Sequence, residues 1–266
     1  MIITLLTDYG RDDDFVGVCH AVIAGIAPGV QVLDLTHGIA RHDVRRGALV
    51  LRDTLPYVPI GVQVAVVDPQ VGTERRAVAL RTEDGRIFVG PDNGLLSLAW
   101  QRAGGVIEAV DVTRSPHRLE PVSATFHGRD VFCPVAAHLA IGEELAEAGD
   151  SLDPDLLQTI ALPEPRVEGD SLVAHVLSID RYGNAALNVS HEDLAGTGIV
   201  LGGQVEVTSG GERFLAAVAQ TFADVRPGDI LVYEDSYRAL SVAINRGDAA
   251  ATLQLALDSE VRITPR

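Results

Sequence analysis

The feature that most narrows the fold is a change of rhythm along the chain. Through the first half, short β-branched runs alternate with segments of helical spacing, whereas beyond residue 170 the pattern consists of short strands alone. Strand–helix alternation is the pattern of a mainly parallel sheet, because parallel neighbours need a crossover and a helix supplies a compact one. The spacing predicts strands over 2–7, 30–35, 62–67, 77–81 and 87–89, the last two joined by Asp84-Gly85. It predicts helices over 14–26, 45–55, 94–102 and 131–140. Residues 152–170 carry acids and three prolines with no sustained apolar period, the composition of a linker. Strands expected at 172–179, 185–189, 204–208, 214–218, 230–232 and 239–242 are divided by turns such as Gly202-Gly203 and Gly210-Gly211. That predicts a small antiparallel barrel or sandwich. The expected organisation is an α/β domain over 1–160, a linker over 161–170 and an all-β, barrel-like domain over 171–266.

Charge and composition exclude several functions. The formal charge of −16 repels polyanions at long range, which argues against nucleic acid or an anionic lipid surface as a partner. Every basic residue is arginine; without lysine there is no Schiff base, no pyridoxal phosphate anchor and no P-loop lysine. Two cysteines, Cys19 and Cys133, make neither a disulfide framework nor a thiolate metal cluster, and buried thiols in a reducing compartment are expected. The N-terminus lacks a basic leader, and stretches such as 61–67 are too short to span a bilayer, so a cytoplasmic protein is expected.

Polar residues cluster just after expected strand ends, where open α/β sheets bind ligands. Asp8 follows the first strand, in a place that suits a carboxylate gripping a sugar diol. Asp12 to Asp14 fit a helix N-terminus, complementing the dipole. Their clustering leaves magnesium or calcium open, but the spacing matches no calcium loop and the histidines form no His-Glu-x-x-His pattern. Asp68 leaves the third strand ahead of a proline, a place for a reactive carboxylate or a capped turn. His127 precedes an expected helix start. No Gly-x-Gly-x-x-Gly follows the first strand and no Gly-x-Ser-x-Gly occurs, so neither the usual dinucleotide fold nor a serine hydrolase elbow is supported.

Five segments then carry a resemblance: Thr7-Asp8-Tyr9-Gly10, the run from Val67-Asp68-Pro69-Gln70 to Arg75-Arg76, Gly90-Pro91-Asp92-Asn93-Gly94-Leu95-Leu96, Thr125-Phe126-His127-Gly128-Arg129-Asp130, and Ile179-Asp180-Arg181-Tyr182-Gly183-Asn184. In order and nearly end to end, they resemble the S-adenosyl-L-methionine (SAM) hydroxide adenosyltransferases, adenosine-forming hydrolases related to the SAM-dependent fluorinase and chlorinase. The resemblance implies an N-terminal α/β domain, a C-terminal β-barrel and a homotrimer that binds SAM between neighbouring subunits. SAM is then the substrate, and neither a cofactor nor a metal is expected.

Carried over residue by residue, the resemblance implies that Asp68, Arg75 and His127 form the reactive set. Asp8 would hold the ribose hydroxyls, and Asp13 and Asp180 would lie near the methionine amine. Tyr182, Asn184 and Phe222 match the adenine pocket, Ile244 to Arg246 a stretch whose backbone meets adenine, and Ser236 and Tyr237 the amino-acid end. Gly128 falls among the substrate-binding positions, where the fluorinase has a serine. The chain departs from the pattern with Gln70, where relatives commonly have glycine, and with Tyr237, where the fluorinase has an arginine; neighbouring Arg238 is the candidate for that contact. An aspartate paired with arginine is expected to have a depressed pKa, and both Asp68 and His127 are candidate proton acceptors. Other readings are a halogenase, a SAM- or adenosine-binding sensor without turnover, and a metal-dependent phosphohydrolase built on Asp12 to Asp14.

Overall fold

An uncharged run at the start of the chain, Ile2–Thr7, forms β1, the second strand of a seven-stranded sheet in a computed structural model that describes residues 1–266. Its partners are β2 (Gln31–Thr36), β3 (Val62–Val66), β4 (Ala77–Thr82), β5 (Ile87–Pro91), β6 (Val106–Asp111) and β7 (Asp150–Ser151), in the order β2-β1-β3-β5-β4-β6-β7. β2, β1, β3 and β5 are parallel. The Asp84-Gly85 hairpin reverses β4 against β5, β6 reverses again, and β7 runs back along β6.

The pleat of the sheet sorts its side chains onto two faces. Ile3, Leu5, Val62, Val64 and Val66 pack beneath α1 (Phe15–Ile26) and α4 (Cys133–Ala140). Leu6, Ala65, Val67, Val78, Leu80 and Phe88 share a second core with α3 (Ser97–Arg102) and α2 (Val44–Thr54), whose Leu51 reaches it. The result is a three-layer α/β/α unit. Cys19 and Cys133 are buried free thiols in the first core. A hydrogen bond with Cys19, together with burial, pushes the Cys133 thiol well above its ordinary pKa, so folding brings together two cysteines that are remote in sequence.

The chain divides into two units, Met1–Ile160 and Ala161–Arg266. The second contains β8 (Arg166–Glu168), β9 (Ser171–Ile179), β10 (Ala185–Ser190), β11 (Gln204–Ser209), β12 (Glu212–Val218), β13 (Ile230–Glu234), β14 (Ala239–Ile244) and β15 (Glu260–Pro265), plus a one-turn helix, α5 (Ala249–Thr252). Seven of these strands close into a barrel in the order β10-β14-β13-β12-β11-β15-β9, with β9 returning to β10. Alternate residues such as Leu172, Ala174 and Val176, or Val205 and Val207, fill the interior. The barrel is not wholly antiparallel, since β12 and β13 run parallel, joined by a crossover through a 3-10 turn at Phe222–Asp224. β15 lies between β11 and β9 with Val261 and Ile263 facing inward.

Composition had marked 152–170 as a linker, yet Arg166–Glu168 pairs with β9 as an edge strand. Its Arg166 reaches both Glu168 and Glu260 across the barrel edge. No helix is long and apolar enough to cross a membrane.

Candidate active site

Two loops meet above the carboxyl ends of β1 and β3. The first leaves β3 at Val67 and carries Asp68 and Arg75 before β4 begins; the second carries His127 into a π-helical turn, Gly128–Phe132, that leads into α4. Their approach depends on Gly72, whose φ is +78° and where a β-carbon would collide with the carbonyl oxygen of Ala124. A second close approach lies beside it. A β-carbon at Gly128 would overlap the Tyr9 hydroxyl, and the Tyr9 ring is wedged against Phe15 and Phe126 at centroid distances of 5.8 and 5.7 Å.

Arg75 is the hinge of the polar cluster. Its Nε donates to Asp68 Oδ1 at 3.2 Å, and its Nη2 donates both to Asp68 Oδ2 and to His127 Nδ1, the latter at 3.1 Å. Nη1 is anchored on the Arg76 carbonyl at 3.1 Å, and the guanidinium lies 5.5 Å from the centre of the Phe132 ring. Only 3% of the Arg75 side chain and 6% of Asp68 are exposed, so the fork is rigid and largely dry.

The electrostatics differ from the sequence expectation at one point. Burial pushes the Asp68 carboxyl above its ordinary value; the Arg75 charge and hydrogen bonds, the Gln70 amide and the His127 charge all pull downward without overcoming it. A depressed pKa is therefore not found, because desolvation outweighs the ion pair. Burial, then the Arg75 charge, lowers the pKa of His127, while Asp68 and Asp130 oppose them. His127 is thus neutral near pH 7. Because a guanidinium can only donate, Nδ1 accepts and the ring proton resides on Nε2.

Surrounding residues hold this set in place. Asn93 donates to the Val67 carbonyl at 2.9 Å and accepts from Leu95 N–H at 3.1 Å, which fixes the strand end from which Asp68 projects. Asp130 accepts from Ser123 N–H at 2.7 Å and from Arg129 at 2.6 and 2.9 Å, locking the His127 loop. Asp92, buried, takes Arg76 Nε at 2.9 Å and Gln158 N–H at 2.8 Å. Asn93, Asp92 and Asp130 all stood in the motifs quoted above, but their roles were invisible there because Asn93 and Asp92 hold backbone remote in sequence and Asp130 holds a loop whose path only the fold sets. Tyr9 stood there too.

Among the other sequence-named positions, Asp8 accepts from His42 N–H at 3.0 Å, and Asp13 is exposed in the turn before α1. In the barrel unit Asp180, Tyr182, Asn184, Phe222, Ile244 and Arg246 line one cavity of about 560 Å³. The Asp180 carboxylate organises its rim, accepting from Tyr182 N–H at 2.8 Å and from Asn184 N–H and Nδ2 at 3.0 and 2.8 Å. Since a carboxylate only accepts, Asn184 must turn its NH₂ to Asp180, which leaves its carbonyl oxygen as an acceptor. Ser236, Tyr237 and Arg238 lie on the β13–β14 turn, built around Asp235. Arg238 is bound to Glu234 at 2.7 Å and lines a different groove, apart from the Asn184 cavity.

Residues 3–149 match the family model described as the SAM hydroxide adenosyltransferase N-terminal domain, and residues 174–262 match the C-terminal one. A protein of Salinispora tropica named (R)-S-adenosyl-L-methionine hydrolase is 45% identical over 98% of this chain and 97% of its own length. A fluorinase of an Actinoplanes species is 31% identical over 99% of this chain and 97% of its own. The crystal structure of an uncharacterized conserved protein from Thermotoga maritima superposes with a TM-score of 0.92 at 36% identity, covering 99% of this chain and 100% of that one.

Proposed function

Because the chain belongs to the SAM hydroxide adenosyltransferase family, we propose that it hydrolyses SAM to adenosine and L-methionine. The observation that carries the reading is the buried Asp68–Arg75–His127 set with its neutral, Nε2-protonated imidazole.

Carbon 5′ of SAM bears a sulfonium, so methionine departs as a neutral thioether without a general acid, and the chemistry calls for no metal or cofactor. What the reaction needs is a water oxygen held in line with the C–S bond. His127 Nε2–H donates to that oxygen, and the Asp68 carboxylate accepts one of its hydrogens. As oxygen attacks C5′, the C–S electron pair goes to sulfur and the oxonium proton passes to Asp68, leaving adenosine with a 5′-hydroxyl. His127 is not the base, since its one free nitrogen already carries a proton. A carboxyl whose pKa burial has raised is also a better acceptor than an ordinary arginine-paired aspartate.

Asp8 binds the ribose hydroxyls, with Tyr9 and Gly128 shaping the floor beside them and Asp13 near the methionine amine. The Asn184 carbonyl oxygen accepts from the adenine amine, while Phe222 and Tyr182 offer ring faces and the 244–246 backbone meets the base edge. Asp180, Ser236 and Tyr237 serve the methionine end. The two halves of the site come from neighbouring subunits of a homotrimer. Incubating the protein with SAM in halide-free buffer and separating the products chromatographically tests the assignment: adenosine and methionine in equal amounts are expected, and unchanged SAM would refute it.

A further inference from the structure

We propose that His117, His138 and Glu143 form a binding site for a divalent transition-metal ion of the zinc type, distinct from the reaction centre: two imidazole nitrogens from separate segments converge on one carboxylate. His117 lies in the 112–127 loop after β6, His138 in the last turn of α4, and Glu143 just beyond that helix. Glu143 Oε2 is 2.7 Å from His117 Nε2, and Oε1 is 2.7 Å from His138 Nδ1. One donor atom from each residue can be chosen so that all lie within 4.8 Å of one another. The imidazoles stack at 4.2 Å with 16° between their planes, and each places one nitrogen against an oxygen of the same carboxylate.

An independent observation points to a ligand. His117 Nε2 is buried yet has no hydrogen-bond partner, because Glu143 Oε2, though close, lies outside hydrogen-bond geometry. A buried nitrogen without a hydrogen bond is rare and costly, and coordination to an ion would satisfy it. Two imidazole nitrogens and one carboxylate oxygen are the ligand set of zinc and its neighbours in the first transition row, whereas magnesium and calcium require oxygen donors. Side-chain exposures of 15%, 27% and 30% leave water a route to the remaining coordination positions. Glu147, within electrostatic reach of His117, adds negative charge. The bound ion would pin one end of the 112–127 loop to α4, while Asp130 holds the other end through Ser123.

Calorimetric titration of the chelator-stripped full chain with Zn²⁺ tests this. A single ion per chain is expected, with no competition from Mg²⁺ and a rise in melting temperature. His117→Ala and His138→Ala should each weaken binding by at least the roughly 10–100-fold seen on loss of an outer-shell partner. Glu143→Gln, near-isosteric and therefore expected to fold, should weaken it comparably and abolish the thermal shift. His191→Ala, removing an exposed histidine elsewhere, should change nothing. Absence of zinc binding, binding that survives Glu143→Gln and both alanine variants, or equal competition by Mg²⁺ would each overturn the proposal.

Discussion

Gly72 and Ala124 belong to different loops, and the α-carbon of the first sits so close to the carbonyl oxygen of the second that no side chain fits between them. That contact brings the loop of Asp68 and Arg75 against the loop of His127. Gly72→Ala combines this collision with a left-handed backbone at φ +78°. It should cost on the order of 1–3 kcal/mol of stability. It should also reduce SAM turnover more than tenfold while adenosine still binds. Calorimetric melting and product assay together check this, and a fully active variant would show that the loops need not touch.

Removing any one of Asp68, Arg75 and His127 should lower kcat by roughly 10²–10⁴-fold, the span associated with a positioned acid or base. The losses should not add, since the proposed mechanism has all three act on one water. Arg75→Met should in addition destabilise the fold by about 3–5 kcal/mol, because it leaves the Asp68 carboxylate buried without its partner. Double-mutant kinetics provides the measurement; additive losses would separate the three residues.

Activity should fall on acidification, through the protonation of Asp68 at a pH above its ordinary 3.8. His127, its pKa lowered by burial and Arg75, stays neutral further into acid than a free imidazole and so does not set a limb at neutral pH. Between 3.8 and the raised native value the folded state holds more protons than the unfolded one, so the contribution of Asp68 to stability is present at low pH and is lost as pH rises through that window. Asp68→Asn should abolish both the acid limb of the residual activity and this part of the pH–stability curve. An acid limb that persists in Asp68→Asn would transfer the role to another group.

Halogenated adenosine should not be a main product even at high halide concentration. An ionised carboxylate repels a halide at the attacking position by on the order of 4 kcal/mol at about 4 Å and an effective dielectric near 20, while water donates a hydrogen bond to it. Mass spectrometry of products formed in concentrated chloride or fluoride decides the matter.

Mixed oligomers offer a test of the proposed sharing of the site between subunits. Asp68→Ala and Asn184→Ala chains, each inactive alone, should regain part of the wild-type rate when unfolded and refolded together, since some interfaces receive both intact halves. Light scattering should show a trimer. A fully active monomer would remove the premise.

The strands of both units were legible in the sequence wherever burial imposed a clear period. β1, β3 and the β4–β5 hairpin coincide with their apolar runs. β6 and β15 were missed although Val261 and Ile263 alternate with Glu260 and Arg262, a period of two that is short and flanked by charge. The parallel β12–β13 pair could not be read from period at all, because alternation reports which side chains face inward and is indifferent to strand direction.

It was the family resemblance carried by short local motifs that named Asp68, Arg75 and His127 as one set; spacing alone left Asp68 a reactive carboxylate or a capped turn. What only the tertiary structure decided was their protonation and the company they keep. Desolvation is a property of everything packed around a group, so an aspartate beside an arginine reads as acidic in sequence and is pushed the other way once only 6% of its side chain meets water. Likewise the His127 tautomer follows from a guanidinium that approaches one particular nitrogen. His117 reaches Glu143 across a loop and a helix, a convergence that no spacing along the chain could announce, because separation in sequence does not set distance once the chain has folded back on itself.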